Sequence, residues 1–188
     1  KFGFDSVWLT GVWCSSRRGR ETSLHHNGLR SEFLKVLPDL KPEDVVCSPY
    51  SIAGYEVDSQ LGDRKSILDL KKRLNNHGMK LLLDFVPNHV SLDHPWVKTQ
   101  SELFIHGSEA DIRNNPETFF TIDDYKTIVA HGKDPYFPAW TDVAQLNYFN
   151  PQTRKAMHDL LLSIAQLCDG VRCDMAMLIL KKIQREIW

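Results

Sequence analysis

The sequence has no apolar run approaching the ~20 residues that a membrane-spanning helix needs, and it has no excess of either charge. Lysine and arginine number 23 against 24 aspartate and glutamate residues, so the formal net charge is −1. This balance gives no electrostatic reason to expect a nucleic acid or an anionic membrane surface as a partner. A neutral substrate is favoured instead.

Cysteines are few and isolated from one another. The four occur singly, without a C-x-x-C pair, at Cys14, Cys47, Cys168 and Cys173. A chain of 188 residues does not need disulfides to fold, so we expect reduced thiols and weakly favour a reducing compartment such as the cytoplasm. The histidine pairs His25 with His26 and His89 with His94 lack the spacing of a zinc site, so no catalytic zinc is expected.

Three short apolar runs bounded by Gly, Pro or Asp have the pattern of buried parallel strands. They cover Ser6 to Thr10, Lys80 to Val86 and Gly170 to Cys173. Helical spacing of apolar residues occurs between them, from Asp63 to His77 and again after Pro151. The alternation of strand and helix predicts an α/β fold with a parallel sheet.

Two connections are much longer than ordinary strand-to-helix loops, at residues 11–62 and 87–150. Unstructured loops beyond ~15 residues are uncommon in compact domains unless they have a function. Both follow the carboxyl ends of strands, where a barrel of parallel strands builds its active site. Prolines and aromatic residues in the second connection predict a small irregular subdomain at 91–150, between barrel parts at 1–90 and 151–188.

Polar residues occur at the carboxyl ends of the second and third predicted strands. Asp84, Asn88 and His89 belong to the second, and Arg172 and Asp174 close the third. Carboxyl ends of parallel strands meet at one edge of a sheet, so both segments are candidates for an active site. Side chains at i and i+2 share a face, and a guanidinium there is expected to lower the pKa of the Asp174 carboxyl and keep it ionised, as a nucleophile requires.

These segments carry a family resemblance. The sequence DFVPNH at 84–89 resembles the first signature region of the α-amylase superfamily, and GVRCD at 170–174 resembles the second. Residues 145–147 are similar to the region that closes the family's inserted subdomain, and residues 48–62 resemble the stretch usually written around Gly-Tyr-Asp. The segments follow the family order over almost the entire chain. The resemblance implies a partial (β/α)8 TIM barrel with a short irregular subdomain inserted after the second visible strand.

The resemblance also implies a role for each matching residue. Asp174 matches the nucleophile that forms a covalent glycosyl-enzyme, and Arg172 matches the arginine that orients it. His89 matches a histidine that hydrogen-bonds sugar hydroxyls, and Tyr50 matches an aromatic ring on which that sugar stacks. Asp84 matches a carboxylate that braces the site.

The family match says less about metals and cofactors. Asn88 matches a residue that in some members ligates a structural Ca²⁺ through its amide oxygen, a ligand type suited to that cation. No redox or organic cofactor is implied. The aromatic residues between Trp96 and Trp140 suit a sugar cleft, but we expect most of them to form the core of the inserted subdomain.

The sequence departs from the family pattern at two points. Pro49 and Ser51 flank Tyr50 where the family commonly has Gly and Asp. The acid/base glutamate and a second aspartate of the family lie on later strands than the sequence reaches at Trp188, so the isolated chain is expected to be inactive. Residues 2–5 run straight into a strand pattern without an initial Met, so the N-terminus is expected to be missing.

The implied activity is retaining hydrolysis of α-linked glucosides or α-glucans by double displacement through Asp174. Members of the superfamily that share this machinery differ in the acceptor, so a transglycosylase, a sugar isomerase and a phosphorylase remain alternatives. A non-catalytic amylase-like binding subunit is another alternative. Such a subunit is expected to lose the nucleophile or its arginine, and both Arg172 and Asp174 are present.

Overall fold

The computed structural model describes residues 3–122 and 127–188. Residues 1–2, which begin the first predicted barrel part, and residues 123–126, within the predicted subdomain, lie outside the described residues. In chain order the elements are β1 (Ser6–Leu9), β2 (Trp13–Ser15), α1 (Arg17–His25), α2 (Asn27–Val36), β3 (Ile52–Val57), α3 (Arg64–Asn76), β4 (Lys80–Phe85), β5 (His89–Ser91), α4 (Pro95–Thr99), α5 (Glu109–Asn114), β6 (Phe119–Ile122), β7 (Thr127–Gly132), β8 (Trp140–Gln145), α6 (Pro151–Ala165), β9 (Gly170–Cys173) and α7 (Lys181–Ile187).

A parallel sheet with strand order β1-β4-β9 forms the centre of the fold. The register pairs Trp8 with Leu82 and Asp84 with Arg172. On β4, Leu81 and Leu83 are fully buried, whereas Asp84 lies on the alternate face. The α/β prediction is confirmed, and the first two strands end one residue earlier than predicted, at Leu9 and Phe85.

The helices that flank this sheet begin where the sequence has capping residues. Asp63 Oδ1 accepts hydrogen bonds from the backbone N–H and the hydroxyl of Ser66, both at 2.7 Å, and so caps α3. Gly78 follows α3 with a φ of +73°, a left-handed conformation that favours glycine. Asn150 caps α6 by accepting from Gln152 N at 2.9 Å. None of the helices in the described ranges is both long and apolar enough to span a bilayer.

Most of the second long connection is organised by an antiparallel sheet with strand order β5-β8-β7-β6. Its buried apolar residues include Val90, Val129 and Ala144, and Leu146 directly after β8, each at 0% exposure. The sequence predicted irregular structure in this connection, whereas its described residues form four strands. These strands were not predicted because they are short and contain polar residues that conceal the alternation of a strand. The separate subdomain at 91–150 stays a prediction.

The first long connection contains an antiparallel β2–β3 pair, with the helices α1 and α2 between the two strands, and it is joined to the segment after β5. Asp93 accepts hydrogen bonds from Ser16 Oγ at 2.7 Å and from the backbone N–H of Arg18 at 3.1 Å. Several hydrogen bonds to a carboxylate hold its pKa below the usual range even though partial burial opposes them. The contact therefore fixes the two long connections relative to each other beside the carboxyl edge of the parallel sheet.

Candidate active site

The structure brings four of the predicted site residues together. Tyr50, His89 and Asp174 line one cleft of about 550 Å³. Arg172 Nη1 lies 2.6 Å from Asp174 Oδ1, and the Arg172 Cζ atom lies 5.2 Å from the centre of the Tyr50 ring. The strand ends of the parallel sheet and the first long connection together supply these side chains, which is the arrangement expected at the active end of such a sheet.

Asp84 lies beneath this group and is only 1% exposed. Its Oδ1 accepts a hydrogen bond from Trp8 Nε1 at 3.1 Å and lies 3.6 Å from Arg172 Nη1. Its Oδ2 is buried without a hydrogen-bond partner among the described residues. Asp84 therefore contacts the arginine and not the cleft, which is the position of a bracing carboxylate.

Arg172 is held from two sides. Trp8 lies on β1, the strand next but one to β9, and its ring centre is 5.1 Å from Arg172 Cζ. The ring of Tyr50 makes the second contact. A guanidinium near two aromatic rings gains roughly 0.5–1 kcal/mol per exposed contact. These contacts restrain Arg172 beside Asp174, and Asp174 lines the cleft.

The expectation that Arg172 lowers the pKa of Asp174 below its usual range is wrong in its net direction. Burial raises the pKa of Asp174, and the nearby Asp84 carboxylate raises it further. The ion pair and hydrogen bond with Arg172 lower it, but they do not cancel the effect of burial. Asp174 is 7% exposed as a residue, and desolvation of its charge is the largest cause.

His89 is 4% exposed, and burial lowers its pKa to about 4 while a hydrogen bond with the backbone of Tyr50 opposes the change. The imidazole is therefore neutral near pH 7. Asn88 Nδ2 lies 3.2 Å from His89 Nδ1. Because an amide nitrogen only donates, Nδ1 is the acceptor and Nε2 carries the proton.

Asn88 is fully buried and forms an amide pair with Gln145. Asn88 Oδ1 accepts a hydrogen bond from Gln145 Nε2 at 2.9 Å, and Asn88 Nδ2 donates to Gln145 Oε1 at 3.3 Å. The oxygen that would bind a Ca²⁺ ion therefore already accepts one hydrogen bond. No group of three His, Cys, Asp or Glu side chains in residues 3–122 and 127–188 is arranged to hold a metal. Ca²⁺ prefers six to eight oxygen ligands, so a site at Asn88 would need further oxygens around it, and the calcium role of Asn88 stays a prediction.

Several cleft residues were not predicted from the sequence. Met175, directly after Asp174, has a φ of 49°, a left-handed conformation that costs a residue with a side chain ~1–2 kcal/mol. Trp140 lines the cleft from the first position of β8, and His26 and Leu29 line it from the α1–α2 segment. No local signal marks Met175, His26 or Leu29, whereas Trp140 is one of the aromatic residues that suited a sugar cleft. Trp8, in contrast, follows the alternation of a barrel strand, so the face on which it lies could have been predicted from the sequence.

Comparison with known proteins decides the family. A profile of the alpha-amylase family, described as the alpha amylase catalytic domain, matches residues 1–186. The chain belongs to this family. Its three parallel strands are accordingly a fragment of a TIM barrel.

The relatives in this family are much longer than the chain. The alpha-amylase MalA of Haloarcula japonica is 29% identical over an alignment of 147 residues that covers 73% of this chain and 19% of MalA. A probable oligo-1,6-glucosidase 2 of Bacillus subtilis is 28% identical over 160 residues, covering 73% of this chain and 28% of the relative. The crystal structure of isomaltulose synthase from Klebsiella sp. LX3 superposes with a TM-score of 0.65 at 18% identity, covering 94% of this chain and 29% of that one. This last likeness supports the fold alone.

Proposed function

We propose that this chain supplies the nucleophile side of a retaining glycosidase active site that acts on α-linked glucosides or α-glucans. The observation that carries the proposal is the Arg172–Asp174 ion pair, with its carboxylate lining a cleft beside Tyr50 and His89. A neutral oligosaccharide agrees with a cleft whose lining is mainly uncharged. The family relation supports an enzyme of the glycoside hydrolase class.

The proposed reaction has two displacements. In the first, a carboxylate oxygen of Asp174 forms a bond to the anomeric carbon as the bond to the leaving oxygen breaks, and a general acid protonates that oxygen. In the second, water attacks the same carbon, its proton returns to the conjugate base, and the bond to Asp174 breaks. Arg172 orients the attacking carboxylate, and His89 and Tyr50 contact the sugar.

The general acid is proposed to come from a part of the barrel outside these 188 residues. A retaining site needs the two carboxyl groups about 5–5.5 Å apart across the glycosidic bond. Asp84 is unsuited to this task because it is buried under Arg172 and does not line the cleft. Among the described residues, Asp142 is the other carboxyl group that lines it.

A trapping experiment tests the proposal. The complete polypeptide that contains these residues is incubated with 5-fluoro-α-glucosyl fluoride, and its peptides are analysed by mass spectrometry. We expect one fluoroglucosyl adduct on the peptide that carries Asp174, and product of retained anomeric configuration by NMR with an ordinary α-glucoside. An adduct on another residue, or inverted product, would contradict the proposal.

Two further measurements locate the acid and the acceptor. The 188-residue chain assayed alone should be inactive on maltooligosaccharides, and Asp142→Asn in the complete polypeptide should retain activity. Turnover by the isolated chain that is lost in Asp142→Asn would instead assign the acid to Asp142. Product analysis with excess sugar separates hydrolysis, which releases glucose, from transglycosylation or isomerisation, which gives new glucosides.

A further inference from the structure

A strained turn and a short helix follow the strand that carries Asp174. The backbone N–H of Asp174 donates to Phe85 O at 2.9 Å, which fixes this residue on its strand side. Met175 comes next, with a φ of 49°. A left-handed conformation is unfavourable for a residue with a side chain and persists only where the surrounding structure imposes it. Contacts beyond Met175 are therefore needed to hold this turn.

Short-range hydrogen bonds connect the turn at Met175 with helix α7. Each bond reaches three or four residues back along the chain, and together they run from Leu178 N to Met175 O at 3.0 Å, from Leu180 N to Met177 O at 3.2 Å, and from Gln184 N to Leu180 O at 2.9 Å. A displacement of α7 is therefore transmitted to Met175. The position of the turn depends on what holds the helix.

Helix α7 is held through the side chain of Gln184. Its Nε2 donates to Leu146 O and its Oε1 accepts from Tyr148 N, both at 2.9 Å. The residue is 0% exposed, and of the seven residues of α7, all of which the structure describes, it is the buried one. Hydrogen bonds have a preferred direction, whereas apolar burial has none. The deepest contact of α7 therefore specifies one position for the helix.

The segment to which Gln184 is bonded is itself fixed beside the site. Tyr148 Oη donates to Pro87 O at 2.8 Å, and Leu146 N donates to Asn88 O at 3.1 Å. Pro87 and Asn88 form the connection between β4 and β5. Gln184 therefore joins the helix that follows Asp174 to the turn that follows the neighbouring strand of the parallel sheet.

We infer that Gln184 is a positioning residue for the proposed reaction, because it fixes α7 and with it the turn at Met175 that holds the Asp174 carboxylate beside Arg172. The inference rests on the proposed function and adds a residue that does not line the cleft. Release of α7 would let Met175 relax to a negative φ. The Asp174 carboxylate, 2.6 Å from Arg172 Nη1, would then lose its orientation towards the cleft.

Gln184→Leu in the complete polypeptide tests the inference. The substitution leaves Tyr148 N without its acceptor, whereas Leu146 O keeps a hydrogen bond from Gln145 Nε2 at 3.2 Å. We expect kcat on an aryl α-glucoside to fall about 10- to 100-fold, because a displacement of about 1 Å takes a nucleophile out of its attack geometry. KM should stay within about threefold. Rates are measured at a temperature at which circular dichroism shows every variant folded.

Thr153→Val is the matched control. Thr153 is also 0% exposed, and its Oγ1 donates to Leu103 O at 3.0 Å. Leu103 O accepts a second hydrogen bond from Asn147 N at 2.8 Å, so here too the carbonyl keeps one bond. Because Thr153 lies on α6, before β9, its variant should lose stability and keep its kcat. The same kcat in the two variants, changed or unchanged, would overturn the inference.

Gln184→Glu gives a readout that depends on pH. When protonated, the new carboxyl can donate to Leu146 O and accept from Tyr148 N, so it reproduces the original pairing. When ionised, it places a charged oxygen against the Leu146 carbonyl. Since burial raises the pKa of a carboxyl, we expect kcat relative to wild type to fall about tenfold between about pH 5 and pH 8. A ratio that does not change with pH would contradict the inference, and this variant also serves if Gln184→Leu does not fold.

Hydrogen exchange separates the inference from the proposed function. It is followed by mass spectrometry on the peptide that spans Met175 to Leu180, and it needs no substrate. We expect faster exchange in Gln184→Leu than in the wild type or Thr153→Val. If the wild type turns over no substrate but this difference is found, the positioning of the turn stands and the glycosidase proposal fails. Equal exchange in all three proteins would refute the positioning by Gln184.

Discussion

Two groups of polar side chains lie along the carboxyl edge of the parallel sheet and differ in whether all their buried polar atoms have hydrogen-bond partners. Asn88 and Gln145 are buried and exchange hydrogen bonds through both amides. Asp84, Arg172 and Asp174 are charged, and Asp84 Oδ2 has no partner among the described residues. The residue after Asp174 also has a strained backbone. The amide pair is thus satisfied within the fold, whereas the charged group keeps one unsatisfied buried oxygen, on Asp84, and presents Asp174 to the cleft.

The largest effect is expected from the charged group. In the complete polypeptide, Asp174→Asn should lower kcat on an aryl α-glucoside by at least ~10³-fold, because an amide cannot serve as the nucleophile. Thermal unfolding of the variant should remain close to that of the wild type. Activity within tenfold of wild type would remove Asp174 from the nucleophile role.

Substitutions in the neutral pair, Asn88 and Gln145, should lower the free energy of unfolding and not the reaction rate. Gln145→Leu leaves the Asn88 amide buried without its partner, and we expect a loss of ~2–4 kcal/mol in the free energy of unfolding, as each unsatisfied buried group costs ~1–3 kcal/mol. The double variant Asn88→Leu with Gln145→Leu should lose clearly less than the sum of the single variants. Additive losses in denaturant titrations would show that the pair does not act as a unit.

Within the charged group, Arg172 lies between Asp84 and Asp174, and its removal should shift a pH profile. Because Arg172 lowers the pKa of Asp174 against the effect of burial, Arg172→Met should raise that pKa further. The acid limb of kcat/KM should then move to higher pH, with a loss of about 10- to 100-fold at neutral pH. Arg172→Lys keeps the charge and should shift the limb less. An unmoved limb in both variants would mean that another group controls it.

A smaller effect is expected at His94, outside the charged group. Burial lowers the pKa of His94 to about 4, so the folded chain keeps the ring neutral while the unfolded chain takes up a proton near pH 6.5. Stability should therefore fall as the pH drops from about 6.5 to about 4. His94→Asn retains a side chain able to cap α4 but cannot titrate, and it should reduce the fall by roughly 1–2 kcal/mol at pH 5. Parallel curves for both proteins would contradict the assignment.

Part of the candidate site could be predicted from residues that are close in sequence. Arg172 and Asp174 are two residues apart on one strand, so their proximity follows from strand geometry alone. Asp84 and His89 belong to a segment that ends a neighbouring strand of the sheet, and the fold places such ends at one edge. Trp140, His26 and Leu29 lie far from these segments in the chain, and no spacing rule connects them with Asp174.

The alternation of strands and helices, the helix caps and the Arg-x-Asp spacing were determined by the sequence itself, because each depends on residues that are neighbours in the chain. The net direction of the pKa shift at Asp174 was decided by tertiary structure, because it is a balance between burial and the Arg172 charge. The amide pair that occupies the oxygen of Asn88 and the walls of the cleft also depend on the fold. They bring together groups up to about a hundred and fifty residues apart, and only packing determines which of them touch.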